Sequence, residues 1–272
     1  MFINYLRLNL IRFFKGRSAK VALIASIGVV IVLMLLIGLI LYAARAQISL
    51  MAEQDMPVNF YTFAQLLVYG LSFVYVPIIS GLVGCGYISA YYTYRGYYNL
   101  EIGMRNRVLF VLSELVVLFL MSAILYGMSS MLLILMEPIA LNGQSLLRDG
   151  YKFVVDTYGV QLILGLNDSA NALLFAHLFR KKGKSFMFYL GLWIVSLFLS
   201  HYLVVWLPTS FDFLTYILFP SVVNWFGNDV PLIAEKISMT HIIIYIGITL
   251  KIMATFALSV LLFSRKVEEK RS

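Results

Sequence analysis

The chain has 272 residues, 61% of them hydrophobic and 12% charged, with a mean hydropathy of +0.89. That balance lies outside the range of soluble domains and excludes one. A formal charge of +8 does not mark a nucleic-acid surface, because the basic residues flank apolar runs instead of gathering in one patch, and the single cysteine, Cys85, excludes an intrachain disulfide and a thiolate metal cluster.

In chain order, residues 1–20 place Phe2, Ile3, Leu6, Leu10, Phe13 and Phe14 at helical spacing, with Asn9, Arg12 and Lys15 elsewhere on the wheel. This pattern predicts an interfacial helix on the inner leaflet. Six apolar stretches follow at 21–44, 62–91, 109–136, 153–179, 186–207 and 241–263. Each reaches the ~20 residues that a helix needs to cross ~30 Å of hydrocarbon. The first stretch is longer than the apolar core of a cleavable leader, so it is expected to stay as an anchored span. Extended through Tyr94, the second would measure about 50 Å, so it is expected to protrude, tilt or bend. Pro77 offers a kink site there, and Ser80, Gly81, Gly84 and Gly86 form a small-residue face for close helix packing.

Chemical stops bound the stretches: Arg45, Glu53 and Asp55; Tyr94 and Arg95; Glu137 and Pro138; Arg180 to Lys184; Pro208; Arg265 and Lys266. Between Pro208 and Thr240 the chain is strongly apolar, with Phe211, Leu214, Phe219, Trp225 and Phe226, a pattern that suits either a broken hairpin dipping into the outer leaflet and buried in protein or an interfacial amphipathic element resting on lipid. Sixteen of the twenty-one Lys and Arg residues lie in the N-terminal segment, the second and fourth loops and the C-terminal tail. By the positive-inside rule both termini are cytoplasmic, as in a multi-pass protein of the cell membrane.

Three ionisable residues fall inside the predicted spans and are candidates for function, since charge exposed to lipid is expensive. Glu114, near the cytoplasmic end of the third span, reads as a structural charge partnered by Arg105, Arg107 or the N-terminal helix. Asp168, near the middle of the fourth span, lies beside Asn167 and Asn171, and Gln161, Gly165, Asp168 and Asn171 share one helical face. Lys251, near the middle of the sixth, is expected to compensate Asp168 directly or through water. His177, His201 and His241 stand singly near span ends without metal-ligand spacing, and read as satisfied interfacial histidines. No GxSxG elbow and no GxxxxGK[ST] loop occur, so neither a hydrolase nor a P-loop ATPase is indicated in this chain.

Directly before the third span, residues 96–107 read Gly-Tyr-Tyr-Asn-Leu-Glu-Ile-Gly-Met-Arg-Asn-Arg. The segment is too polar for membrane core and too apolar for a free loop. With Gly96, Leu100, Ile102, Arg105 and Arg107 it resembles the coupling segment of ABC-2 type permeases, the membrane subunits of one class of ATP-driven exporters. The acidic residue common before that glycine is replaced here by aromatics, Tyr91 to Tyr94. The resemblance implies an all-α membrane protein of six transmembrane helices with an N-terminal interfacial helix, a cytoplasmic coupling helix between spans 2 and 3, and a re-entrant hairpin between spans 5 and 6. It also implies a dimer with a second permease chain and separate ATPase subunits that bind ATP and magnesium. Tyr97, Tyr98, Leu100, Glu101, Ile102, Met104, Arg105 and Arg107 would meet the ATPase, while Gln161, Asn167, Asp168, Asn171 and Lys251 would line the transport path. The implied cargo is amphipathic peptides of toxin or bacteriocin type, or lipophilic drugs. An ion-coupled secondary transporter using Asp168 and Lys251, and a membrane scaffold without transport, are the alternatives.

Overall fold

A computed structural model of the chain describes residues 1–16, 60–93, 106–140, 147–206, 217–218 and 239–269, with Lys20, Ile24, 27–29, 31–32, 35–36 and Leu39 between the first two stretches. Six helices are delimited: α1 (Phe2–Lys15), α2 (Phe60–Thr93), α3 (Arg107–Ala140), α4 (Leu147–Phe179), α5 (Lys182–Trp206) and α6 (Met239–Glu269). No strand occurs among the described residues. Three stretches are long and apolar enough to cross a membrane, Arg107–Met131, Tyr158–Phe179 and Ile242–Arg265. The all-helical architecture follows from the solvent, because hydrocarbon supplies no partner for backbone N–H and C=O groups and a helix satisfies them within itself.

Several helices overrun the predicted spans. α3 continues through Pro138 to Ala140, α4 starts at Leu147, and α6 runs on past Phe263 to Glu269. Hydropathy marks where a helix leaves hydrocarbon, whereas its hydrogen-bond ladder continues into water as long as the residues favour it. Positions between Lys20 and Leu39 are helical and exposed where described. The predicted coupling residues Tyr97, Tyr98, Leu100, Glu101, Ile102, Met104 and Arg105, and the fifth loop apart from Ile217, Leu218, Met239 and Thr240, lie outside the described residues.

The core is built where α2, α3 and α4 pack on one another, with α1 against α3, α5 against α2 and α4, and α6 against α4 and α3. Ile88, Phe110, Leu125, Leu164, Leu173 and Ile248 are fully buried within it. α6 is peripheral, and Ile242, Ile246, Leu250, Met253 and Leu261 are exposed along it, as residues facing lipid are.

Small residues set the helix spacing. Gly84 lies against Ala172 and Leu118, and Gly165 against Ser122 and Tyr126. At Gly81 the Tyr189 ring occupies the space that a Cβ would need, and the Tyr189 hydroxyl donates to the Pro77 carbonyl at 3.0 Å. A methyl group at position 81 must push the ring off α2, and overpacking of this kind costs about 1–3 kcal/mol. Gly81→Ala is therefore expected to lower the thermal midpoint of the detergent-solubilised protein. An unchanged midpoint would show that Tyr189 does not seat there.

α1 is oriented differently from the sequence expectation. Of the predicted apolar stripe, Phe13 is buried but Ile3 and Phe14 face outward, while Asn9, read as part of the polar face, is fully buried. The wheel assumes that polar residues seek water, but here the bundle offers Asn9 and Arg12 polar partners and leaves apolar residues for the exposed side.

A buried polar cluster at the basic end of the bundle

One end of the bundle brings together α1, the end of α2, the start of α3, the α4–α5 turn and the end of α6. Phe110 is at the centre of this arrangement, edge-on to Tyr5 and Tyr91 at 5.9 Å each and stacked on Phe263 at 5.6 Å. Asn106 donates its backbone N–H to the Tyr5 hydroxyl, and Arg107 donates to the Ser264 carbonyl at 3.4 Å. Arg7, Arg12, Lys15, Arg107, Arg180, Lys181, Lys182, Lys184 and Arg265 all belong to the elements gathered here.

Inside this end lies a network that ties α1 to α2 and α3. Asn9 donates its Nδ2 to the Ser113 hydroxyl at 2.6 Å. Its Oδ1 accepts from Tyr91 at 2.7 Å and from Tyr87 at 3.1 Å, and the same Tyr87 hydroxyl reaches the Asn9 carbonyl. Tyr87 and Tyr91 can do this together because residues four apart share a helix face. The Arg12 guanidinium lies over the Tyr91 ring and 5.1 Å from the centre of the Tyr87 ring. Cation–π contacts of this kind strengthen when water is excluded. Burial pushes the guanidinium down to about 10, with the nearby Tyr87 and Glu114 acting in the opposite direction. Arg12 therefore remains a cation at neutral pH. The folded state would release this proton before the unfolded one as pH rises through 10, so the burial cost is fully present below that and stability contributed at Arg12 rises above it.

Glu114 is completely buried, and its Oε2 lies 3.2 Å from His177 Nε2. The contact has the distance of an ion pair without the alignment of a hydrogen bond, and neither carboxyl oxygen receives a hydrogen bond among the described residues. The other His177 nitrogen, Nδ1, is 2.6 Å from the Tyr92 hydroxyl, and the ring packs edge-on to Tyr92 and Phe263. His177 is thus a core residue, 1% exposed, where the sequence suggested an interfacial one. Of the partners expected for Glu114, Arg107 turns to α6, Arg105 lies outside the described residues, and Arg12 on α1 is within electrostatic reach. The partner that the sequence did not suggest is His177.

A second polar layer runs through the middle of the bundle. Ser122 on α3 bonds to Ser80 on α2 and to Ser169 on α4, each at 3.1 Å, and Ser130 donates to Gln161 Oε1 at 3.0 Å. The Tyr75 hydroxyl pairs with Ser129. Asn167 and Asp168 are both buried, and Asn167 Nδ2 lies 3.3 Å from Asp168 Oδ1. Asn171, expected on the same face, is only partly buried. Lys251 Nζ donates to the Leu218 carbonyl at 2.7 Å and lies within electrostatic reach of Asp168. Gln161, Asn167 and Asp168 thus lie inside the bundle on α4, with Lys251 approaching from α6. Among the described residues no group of His, Cys, Asp or Glu side chains could hold a metal ion.

Sequence reasoning passed over Asn9, Tyr87, Ser113 and His177 as a group. The available signal was Asn9 and Arg12, three positions apart among the apolar residues Leu8, Leu10, Ile11 and Phe13, together with tyrosines at four-residue spacing on α2. No family model matches the chain, and no curated protein matches it in sequence.

Proposed function

We propose that the chain is the membrane-spanning permease subunit of an ATP-driven exporter, with six spans, both termini in the cytoplasm, a second permease chain as partner and separate ATPase subunits. The observation that carries this reading is the convergence of basic elements at one end of the bundle, the end from which the 94–106 connection between α2 and α3 leaves. α2 and α3 are 34 residues long each, so a force applied to the connection would act on two long levers packed against α4. The buried row of Ser80, Ser122, Ser169, Gln161, Asn167 and Asp168 supports a polar path through the bundle. Amphipathic peptides of toxin or bacteriocin type, or lipophilic drugs, are the cargo that suits an apolar bundle with few polar groups.

The test is co-purification with a co-expressed cognate ATPase. The double variant Leu100→Asp/Ile102→Asp is expected to lose the ATPase while eluting from size exclusion as the wild type does. Undiminished co-purification would refute the coupling assignment.

A second reading, an ion-coupled transporter, is favoured by one observation, the placement of a buried Asp168 on α4 and of Lys251 on the α6 helix packed against it. Transport driven by an ion gradient in the absence of nucleotide would establish it over the first.

A further inference from the structure

The α4–α5 turn packs four cations, Arg180, Lys181, Lys182 and Lys184, into five residues, and among the described residues none has an acidic partner. Two of them are held in place by α2. Arg180 adopts a left-handed backbone conformation, φ 58°, which is unusual for a residue with a side chain. Its guanidinium lies 5.9 Å from the centre of the Tyr92 ring, and its Nε–H is shielded from solvent and donates to nothing among the described residues. The Lys182 stem runs across Gly86, so its ammonium is placed beside α2 although the residue is exposed overall. An arginine and a lysine fixed in this way, with their charges side by side at the surface of α2, are complementary to a phosphate oxygen.

Below the cations the surface turns apolar. Phe179 and Phe188 stack with centroids 4.0 Å apart, and Phe188, Met187 and Leu178 are exposed by 54%, 66% and 45%. Lys184 is one helical turn from Phe188 on the same face of α5, so charge sits directly over aromatic surface. Unpaired cations above an exposed apolar strip match the two halves of an anionic phospholipid, headgroup phosphate over acyl chain.

We propose that Arg180 and Lys182, held against Tyr92 and Gly86, form a binding site for the phosphate of an anionic phospholipid whose acyl chain lies along Phe188 and Met187. The site depends on the transmembrane character of the chain and not on the exporter reading. Each cation near an anionic surface contributes a factor that makes the loss of two about thirtyfold in affinity.

The experiment titrates short-chain phosphatidylglycerol into the full-length protein in detergent and follows retained lipid by native mass spectrometry. Phosphatidylcholine and inorganic phosphate are run in parallel. The wild type is expected to retain phosphatidylglycerol, and Arg180→Gln/Lys182→Gln to bind it about thirtyfold more weakly. An equal charge removal at Arg7→Gln/Lys15→Gln on α1 is expected to change affinity less than about threefold. Should the first double variant not fold, Lys182→Gln alone, at an exposed position, is expected to weaken binding about fivefold. Equal losses for the two double variants would reduce the effect to general attraction and overturn the site. Equal binding of phosphatidylcholine, or displacement of phosphatidylglycerol by millimolar inorganic phosphate, would overturn the assignment to an anionic lipid.

Discussion

Replacing Glu114 with alanine is expected to destabilise the protein by about 3–5 kcal/mol, because removing one member of a buried charged group leaves the others uncompensated. Glu114 has no exposed surface, and from α3 its carboxyl group lies against His177 on α4 and within electrostatic reach of Arg12 on α1. Without it Arg12 is a partly buried cation over two tyrosine rings, with no carboxylate beside it among the described residues. α1 is then expected to separate from α3, which exposes Phe13. Arg12→Gln alone should cost less, since Gln can still reach Asn9 and since α1 lies at the edge of the bundle. The double variant Glu114→Ala/Arg12→Gln is expected to cost less than the sum of its single changes by at least ~1 kcal/mol. Unfolding in mixed micelles measures all three. Because Arg12 stays protonated well above neutrality, its contribution is expected to be constant from about pH 6 to about pH 9. Additive losses would mean that Glu114 acts through His177 and Tyr92 alone.

The second large effect is expected at Asp168 and Lys251. Asp168 is buried in α4, and Lys251 on the neighbouring α6 donates to the Leu218 carbonyl within electrostatic range of it. A lone charge at mid-span costs a few kcal/mol, and a compensated pair avoids most of it. Asp168→Asn and Lys251→Gln are each expected to reduce the folded yield in detergent by severalfold. The double variant is expected to recover part of that loss. Strictly additive losses would show that the two charges do not interact, and Asp168 would then be better read as lining a substrate or ion path.

Much of the fold is legible in the order of residues. α2 to α6 coincide with five of the six apolar stretches, and the small residues at 80–86 do form a packing face. The prominence of Asp168 and Glu114 is legible for the same reason, since any charge inside an apolar run is conspicuous. Their surroundings are not. Asn9 meets Ser113 across 104 positions and Tyr92 meets His177 across 85, and periodicity along one helix carries no information about which distant helix completes the contact. His177 near the end of α4 and Tyr91 near the end of α2 look interfacial in one dimension, yet both are buried because α1 and α6 close over that end.

Composition and hydropathy alone determine that this chain is helical and belongs in a membrane, because a run of some twenty apolar residues has one stable solution in hydrocarbon, a helix that satisfies its own backbone. Only the tertiary structure decided the direction α1 faces, the partner of Glu114 and the fixing of Arg180 and Lys182 on α2. Each of these depends on a polar group finding its complement on another helix, and in a medium that offers no water that choice is made by packing and not by local preference.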